Sequence, residues 1–369
     1  MTDLAAPYQP DWVSPPGDTL LDIIEERDWT QSELAQRLGY TPKHVNQLIK
    51  GKVPLTEDAA IRLERVVGST VGFWLAREAK YREHCARLQA AERFSGWADW
   101  LESIPVKELM NVGVIQKQRI DARSKPYLVE ACLRFFGVAS PEEWQTHYGQ
   151  MQGSFRRSRE EQSDVGAISA WLRMGEQEAE KQDGPKYDKS KFEVTLNQVR
   201  KLTTLPPEEF EPQLRTLFKT AGVAFILVPA IPKAHVSGVA RWLNPHRPLI
   251  QLSLYGKTND KFWFTLFHEA AHILLHGQEK KSVYLDDPNK AGNDSPQEKE
   301  ANDWACKFLI PEKFDNSLRE LKTKGAVQAF AEKIGIHPGI VVGRLQHDGL
   351  IEPSWMNDQK VSFRFAEGM

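Results

Sequence analysis

Two histidines four residues apart lie within an apolar stretch, Phe262 to Gly277, and this pattern strongly constrains the fold. Residues 268–272 read His-Glu-Ala-Ala-His, and their apolar neighbours predict a mostly buried helix. At about 100° per residue, His268 and His272 share one helix face, so both imidazoles can bind one zinc ion while Glu269 reaches its bound water. Ionisable residues in a buried helix are costly unless they are paired or bind a metal. The pattern is therefore typical of a zinc hydrolase, with Zn²⁺ as cofactor.

A catalytic zinc site needs a third protein ligand as well as an open position for water. Ser295 and Pro296 predict the start of a second helix. On its helical wheel, Glu298 falls near the buried face and Glu300 falls towards solvent, so Glu298 is the predicted third ligand. The same spacing also fits a capping box between Ser295 and Glu298. Weaker alternatives are three acidic residues of the preceding turn-rich loop: Asp286, Asp287 and Asp294.

Two further residues continue the spacing of these helices. His276 lies roughly 12 Å along the axis from His268 at 1.5 Å per residue, which is too far to bind the same ion. We therefore expect His276 to be a capping or outer histidine. Asn302 follows Glu298 by four residues, so it shares that helix face and could hold a ligand in place from outside the metal's own shell.

Three segments upstream of the zinc-helix pattern predict short β-strands, because they are bounded by Pro, Gly and Asn. They are residues 222–228, 237–243 and 248–253. A small sheet beside the helix would give a peptide a place to lie as an added strand. Four residues have side chains that could stabilise an oxyanion, and the sequence does not choose among them. They are His235, Arg241, Tyr255 and Tyr284.

The residues around the zinc-helix pattern, followed by Glu298 to Asn302 and the step Leu309-Ile310-Pro311, resemble the ImmA/IrrE family of metallopeptidases over about residues 190–350. Members of that family are associated with regulated cleavage of repressor proteins in stress responses and mobile elements. The resemblance implies a zincin-like domain in which His268, His272 and Glu298 are metal ligands and Glu269 is the general base. Cys306 and Lys307 differ from the small or acidic residues usual there, and neither occupies a chemical position.

A second informative region, Asp18 to Gly68, predicts four short helices separated by capped turns. Thr30 is predicted to cap the helix Gln31–Leu38, with Glu33 completing a capping box. Thr41 and Pro42 predict the start of a further helix that stops at Gly51. The apolar residues of these two helices have the spacing that packs them together, which is the pattern of a helix-turn-helix.

The second helix of such a unit lies in the major groove, so the side chains on its outer face are candidates to touch base edges. These candidates are Lys43, His44, Asn46 and Gln47, and Gln31 at the start of the preceding helix is placed to bind a phosphate. From Pro16 to Gly68 the sequence holds seven Lys and Arg against nine Asp and Glu, yet residues 34–56 include four basic and no acidic residues. This charge pattern predicts modest, salt-sensitive binding to DNA.

This segment resembles the XRE-type helix-turn-helix, and more narrowly the HigA-like antitoxin form, over about residues 12–90. The resemblance is carried by the lead-in Pro15 to Asp18, the connection Gly51 to Thr56 and the later Phe73-Trp74-Leu75. It implies binding to an operator or to the protein's own promoter, with a homodimer on two half-sites about one helical turn apart. The alternative is a helical module used only for protein contacts or dimerisation, because its net charge is not basic.

The 369 residues exceed what one core usually organises, so we expect several domains in a fold that is mainly α with a small β-sheet, an α+β class. The predicted domains are a helix-turn-helix at 12–90, a helical middle region at 91–183, a zincin-like metallopeptidase core at 190–320 and a C-terminal helical extension at 321–369. The three cysteines contain no Cys-x-x-Cys pair, which argues against a cysteine zinc site. No stretch approaches the length of a membrane span, so we expect a cytoplasmic protein.

Two hypotheses about function follow. In the first, the protein is a DNA-binding regulatory zinc endopeptidase that cleaves a repressor or another regulatory protein with a metal-activated water and Glu269. In the second, it is a HigA-like antitoxin or transcriptional regulator whose peptidase-like domain senses metal or binds a toxin without cleaving it. Glu269 distinguishes the two, because a non-catalytic regulator does not need that carboxylate.

Overall fold

A computed structural model describes residues 13–149, 164–254, 256–277, 284–286 and 295–365, with the backbone alone described at 149 and 284–286. These residues form two compact units. The first takes its residues from 1–98 and 125–127, and the second takes them from 99–124 and 128–369. The expected fold class is confirmed, since helices dominate and one small sheet is present. Among the described residues, no helix combines the length and apolar character that a membrane span requires.

The first unit contains five helices. They are α1 Pro16–Glu26, α2 Gln31–Leu38, α3 Pro42–Ile49, α4 Glu57–Val66 and α5 Val71–Gly96. Helices α2 to α5 each begin behind a threonine whose hydroxyl oxygen accepts a hydrogen bond from the backbone N–H three residues on, which satisfies a donor that the helix itself leaves free. These threonines are Thr30, Thr41, Thr56 and Thr70. The predicted run of capped helices is confirmed.

The core of this unit consists of aliphatic side chains from all five helices together with Trp74 of α5. Helix α1 comes so close to α3 that a Cβ on Gly17 would lie 1.9 Å from the carbonyl oxygen of Ile49, so only glycine fits there. The predicted capping box is only half formed. Thr30 caps the backbone of Glu33, but the Glu33 carboxylate accepts hydrogen bonds from Arg37, one turn later. The ion pair replaces the expected bond back to the N-cap.

The remaining helices are α6 Val106–Asn111, α7 Lys125–Phe136, α8 Pro141–Gly149, α9 Val165–Glu180, α10 Lys189–Lys201, α11 Pro207–Thr220, α12 Asn259–His276, α13 Pro296–Leu309, α14 Asp315–Glu320, α15 Lys324–Ile334 and α16 Pro338–His347. Short 3-10 turns occupy Ala98–Ser103, Leu202–Thr204, Glu312–Phe314 and Asn357–Gln359. Helices α6 to α9 lie within residues 91–183, which the sequence predicts to be helical.

The sheet of the second unit has four strands: β1 Ala224–Leu227, β2 Gly238–Asn244, β3 Arg247–Leu252 and β4 Tyr284–Asp286. Their order is β1-β3-β2-β4, with β1 parallel to β3 and β2 antiparallel to both β3 and β4. The three predicted strands are confirmed. Strand β4 was not predicted, and the expectation that Asp286 lies in a turn-rich loop is wrong, because Asp286 pairs with Gly238.

Helix α12 is the central element of the second unit and contacts α13, α16, β2 and β3. Trp263, Leu266 and Phe267 on this helix have no exposed surface. Helices α15 and α16 lie within residues 321–369, where the sequence predicts a helical extension. Val341, Val342 and the other apolar residues of α16 are buried in the same core, so this pair has a packing role.

Candidate functional site

Helices α12 and α13 bring two histidines and a glutamate together. His268 and His272 are each 1% exposed on α12, and Glu298 in the first turn of α13 is 8% exposed. Ser295 begins α13, and its hydroxyl oxygen accepts a hydrogen bond of 3.2 Å from the backbone N–H of Glu298. The two readings of Glu298 therefore coexist. Its backbone is capped, while its carboxylate contacts both histidines.

The three side chains converge on a small volume. The His268 and His272 Nε2 atoms are 3.0 Å apart, Glu298 Oε2 is 3.1 Å from His268 Nε2, and Glu298 Oε1 is 3.5 Å from His272 Nε2. Each residue offers one ligand atom, and these atoms all lie within 4.8 Å of one another. Two imidazoles and one carboxylate are the protein ligands of many catalytic zinc sites, which keep the fourth position for water or substrate. This set of side chains could hold such an ion.

The protonation states of the cluster suit metal binding. Burial lowers the pKa of His272 from 6.5 to about 4, although the hydrogen bond with Glu298 acts in the opposite direction. For Glu298, burial alone raises the pKa of the carboxyl, but hydrogen bonds with His268 and His272 outweigh it and lower the pKa to about 2. At neutral pH His272 is therefore neutral and Glu298 ionised, which are the forms that bind a metal.

A second layer of side chains lies behind His272. His276 Nδ1 is 3.2 Å from His272 Nδ1, and His276 Nε2 is 3.1 Å from Glu300 Oε2. A ligand histidine commonly has its other ring nitrogen held by such a partner. The Glu300 side chain is 61% exposed, so it faces solvent as expected, but it also contacts His276. The sequence did not predict this contact, although the helical spacing of His276 suggested an outer position.

Glu269 is fully buried next to His268, and strand β2 begins against it. A Cβ on Gly238 would lie 2.8 Å from Glu269 Oε1 and 2.7 Å from Thr265 Cγ2, which is closer than real Cβ contacts. Glycine at 238 therefore lets the strand approach the carboxylate. The sequence reading missed this residue. The available signal was a glycine inside a predicted strand, which often marks a close approach of two backbones or of a ligand.

The residues considered for oxyanion stabilisation are placed differently from one another. Arg241 is buried in β2 and donates a hydrogen bond of 2.8 Å to the carbonyl of Leu172, so it joins β2 to α9. His235 has a left-handed backbone with a φ of 48° and lies three residues before Gly238. Tyr255 and the side chain of Tyr284 lie outside the described residues, as do Asp287 and Asp294.

The predicted base-reading residues lie on α3, whose Lys43 is exposed and whose His44, Asn46 and Gln47 are half-buried. The His44 ring contacts Tyr40, with ring centroids 4.7 Å apart.

Asn46, one of the predicted base-reading residues, is hydrogen-bonded to Gln31, the predicted phosphate contact. The Asn46 side-chain amide donates a hydrogen bond of 3.1 Å to Gln31 Oε1. This bond fixes the start of α2 against α3, so Gln31 and Asn46 are held as a unit.

The basic residues near α3 differ in how far their charge is neutralised. Arg37 forms a salt bridge of 2.7 Å with Glu33 and stacks on Trp29, with its guanidinium 4.1 Å from the ring centroid. Lys43, Lys50 and Lys52 are exposed, and within the described part of the chain they form no ion pair. Three free charges therefore remain available to a polyanion near α3.

Comparison with known families locates both sites within recognised domains. Residues 20–74 match the family described as helix-turn-helix, and residues 225–346 match the family described as IrrE N-terminal-like domain. The first segment contains all five residues predicted to contact DNA, and the second contains His268, Glu269, His272 and Glu298. These matches confirm the resemblances to the XRE-type helix-turn-helix and to the ImmA/IrrE family.

Two individual relatives each match a short part of the chain. The chain is 33% identical over 60 residues to the uncharacterized HTH-type transcriptional regulator YddM of Escherichia coli (strain K12), an alignment that spans 16% of this chain and 64% of that protein. A solved structure of a candidate antidote protein of a plasmid maintenance system from Nostoc punctiforme is 27% identical, with a TM-score of 0.22. It covers 22% of this chain and 90% of that one.

Proposed function

We propose, from the premise that this chain joins an XRE-like helix-turn-helix domain to an ImmA/IrrE-type peptidase domain, that it is a DNA-binding regulatory zinc metallo-endopeptidase. Its proposed substrate is a repressor or another regulatory protein. We further propose the domain limits predicted above, with the helix-turn-helix at 12–90 and the peptidase core at 190–320. The observation that carries the proposal is the buried convergence of His268, His272 and Glu298.

These three residues would hold the zinc ion, and their chemistry fits it. Two imidazole nitrogens and one ionised carboxylate match the donors that zinc prefers, and burial keeps them together. When bound, zinc polarises a peptide carbonyl and lowers the pKa of a water molecule. His276 and Glu300 would orient the His272 ring from behind, because each forms one link of the chain that ends on its Nδ1.

Glu269 is the proposed general base. It would accept a proton from the attacking water and pass that proton to the amine that leaves when the peptide bond breaks. Its position supports this role, since it follows His268 directly and strand β2 approaches its carboxylate at Gly238. Glu269 is also fully buried, and in such surroundings a carboxylate is held in one place rather than moving freely.

The sheet limits where a substrate strand could pair. Strand β2, which begins at Gly238 beside Glu269, is already paired with β3 on one side and with β4 on the other. The expected added strand would therefore pair with β4, which is the outermost of the described strands on this side. Its backbone would then be separated from β2 by β4.

The test combines metal content with cleavage of a peptide library prepared from a whole proteome. We expect about one zinc per chain in the wild type. Glu269→Gln should keep the metal and lose hydrolysis by about two to four orders of magnitude, because the general base is removed and the ligands are not. His268→Ala should lose both. Cleavage that persists in zinc-loaded Glu269→Gln would refute the assigned mechanism.

A second candidate function is a HigA-like antitoxin or transcriptional regulator whose peptidase-like domain is a non-catalytic sensor or binds a partner such as a toxin. The similarity of 60 residues to a protein named as a transcriptional regulator favours it, as do the three free lysines near α3. Binding of the protein to its own promoter DNA, possible as a homodimer on two half-sites, would support this half of the function. Full metal occupancy without cleavage of any peptide would favour this candidate over the peptidase.

A further inference from the structure

A cavity of about 510 Å³ lies beside the metal-binding side chains, between α12, α13, α16 and the end of β3. Phe264 and Thr265 on α12 border it one helical turn before His268 and Glu269, and Asn302 on α13 borders it one turn after Glu298. The rings of Phe264 and His268 are 6.1 Å apart between centroids. The cavity therefore lies within one helical turn of the metal-binding side chains and of Glu269.

The walls of the cavity are largely apolar. They include Leu252, Phe262, Leu309, Ile310 and Ile340, all of which belong to the buried core of the unit. Cavities that bind small ligands or side chains are usually roughly 300–1,000 Å³ in volume, mostly apolar, and contain a few placed polar groups. This cavity has both the size and the lining of a binding pocket.

One polar group is buried at the far end of the cavity. Asp260 is 8% exposed, and its Oδ2 accepts a hydrogen bond of 2.6 Å from Lys360 Nζ. Its other oxygen, Oδ1, is buried and receives no hydrogen bond from any residue that the structure describes. A buried acceptor without a hydrogen bond costs free energy, so the site favours a ligand that carries a hydrogen-bond donor. At 1.5 Å per residue, Asp260 is roughly 12 Å along α12 from His268.

The charges around the cavity select the kind of donor. Lys257 and Lys261 border it without a salt bridge in the described ranges, whereas Arg344 is paired with Asp348 and the acidic Asp303 lies on α13. A lysine or arginine side chain that entered beside Lys257 and Lys261 to reach Asp260 would therefore meet like charges. A tyrosine or tryptophan brings one O–H or N–H on an uncharged ring that the apolar walls can bury. Lys257 and Lys261 are exposed and, within the described ranges, form no ion pair, so they would attract an acidic residue at the entrance.

We propose that this cavity binds a tyrosine or tryptophan side chain of the polypeptide substrate, with its donor on Asp260 Oδ1 and an acidic neighbour at Lys257 and Lys261. The proposal rests on the proposed peptidase function, because it identifies the segment that the enzyme selects near the cleaved bond. It names the substrate class as regulatory proteins that expose an acidic residue beside tyrosine or tryptophan.

The first test measures binding of three capped dipeptides, N-acetyl-Asp-Tyr-amide, N-acetyl-Asp-Phe-amide and N-acetyl-Asp-Lys-amide, by ligand-observed NMR on the full chain. We expect the Tyr dipeptide to bind about tenfold more tightly than the Phe dipeptide, and the Lys dipeptide to bind most weakly. Because no residue of the metal cluster borders the cavity, the order should hold with and without zinc. Equal binding of the Tyr and Phe dipeptides would overturn the proposal.

The decisive variant is Asp260→Ala. It removes both carboxylate oxygens, so the Tyr hydroxyl loses its acceptor and the preference for Tyr over Phe should disappear. Lys261→Ala is the matched control, because it should weaken all three Asp-containing dipeptides and leave the ratio of Tyr to Phe unchanged. If Asp260→Ala does not fold, Cys306→Phe fills the cavity from α13 instead and should abolish dipeptide binding. An unchanged preference in Asp260→Ala, or unchanged binding in Cys306→Phe, contradicts the proposal.

Mapping the cleavage sites of the zinc-loaded wild type in a proteome-derived peptide library separates this proposal from the peptidase function. Tyrosine and tryptophan should be enriched at one fixed position near the cut, and Asp260→Ala should remove the enrichment of tyrosine over phenylalanine. Cleavage without that enrichment contradicts the cavity proposal and leaves the peptidase function standing. Binding of the Tyr dipeptide without any cleavage supports the pocket and contradicts the peptidase function.

Discussion

The two functional regions of this chain place their side chains in opposite ways. On α3 the candidate DNA contacts are exposed or half-buried, and they are spread along one outer face. On α12 and α13 the candidate metal ligands are at most 8% exposed, and three ligand atoms lie within 4.8 Å of one another. The first region reads a partner that arrives from solvent, whereas the second depends on a fixed arrangement inside the protein.

This difference predicts how each region responds to substitution. Exposed contacts to DNA each contribute a limited and roughly additive share of the affinity, so losing one weakens binding without abolishing it. Ligands of one ion act together, so losing one removes the site. The predictions below test whether this contrast holds, beginning with the largest expected effect.

Replacing Glu298 with alanine should have the largest effect, because among the described residues it removes the one carboxylate that contacts both His268 and His272. We expect the affinity for zinc to fall about 100-fold or more, and hydrolysis to fall with it. The measurement is zinc content by elemental analysis, with competition against a chelator to obtain the affinity.

Glu300→Ala is the matched control for that experiment, since it removes a carboxylate two residues away on the same helix. In the described part of the chain Glu300 contacts His276 alone, and it is 61% exposed, so the affinity for zinc should fall by about tenfold at most. If Glu300→Ala lost the metal and Glu298→Ala retained it, the third ligand would be Glu300, and the wheel argument for α13 would be wrong.

Gly238→Ala should give the next largest effect. The added methyl group would lie 2.8 Å from Glu269 Oε1, so either the strand or the carboxylate must move. A displacement of about 1 Å in a catalytic group can cost about 100-fold in rate, and we expect a loss of that order in hydrolysis with zinc retained. The rate constant for cleavage of a fixed peptide, measured beside zinc content, tests this.

The control for this prediction is Gly325→Ala, at an exposed position of α15 where a Cβ would meet no atom within 4 Å. Alanine is a better helix former than glycine, so this variant should keep full hydrolysis and gain slightly in stability. Full hydrolysis in Gly238→Ala would show that the start of β2 does not position Glu269.

How much of each region the sequence predicts also differs. The helices of the first unit could be predicted because their starts are local. Each threonine caps a backbone N–H three residues away, and the spacing of the apolar residues predicts which face of the helix is buried. The contact between Asn46 and Gln31 could not be predicted, because it joins residues 15 apart across two helices. Spacing alone predicts that the Glu33 side chain bonds back to the N-cap, whereas in the structure the Glu33 carboxylate accepts a hydrogen bond from Arg37.

In the second unit the sequence predicts the side chains of the site and not their surroundings. His268, Glu269 and His272 follow from one helix, and Glu298 follows from the face of a second. The parallel pairing of β1 with β3, the strand β4 and the role of Gly238 arise from contacts between distant segments. The local pattern of apolar residues does not predict those contacts, because strand order is set by the packing of the whole sheet.

A smaller effect is expected from Gln47→Ala on α3. A side chain that makes paired hydrogen bonds to a base edge is worth about 1–3 kcal/mol of discrimination, so the variant should bind its operator more weakly and distinguish it less from random DNA. Zinc content and hydrolysis should stay at wild-type levels. Competition binding with promoter and random DNA measures the ratio, and an unchanged ratio would show that Gln47 does not read a base.

The smallest effect should come from Lys43→Ala, and the salt dependence of DNA binding makes it measurable. Lys43 is exposed and free to bind a phosphate, so its loss should weaken binding to all sequences alike and reduce the slope of log affinity against log salt by about 1. Arg37→Ala is the matched comparison, because Glu33 already neutralises Arg37 and the change in slope should be smaller. If the Arg37 variant changed the slope more, the salt bridge between Arg37 and Glu33 would have to open on DNA. The contacts near α3 would then depend on one another, and the contrast with the buried metal cluster would be weaker.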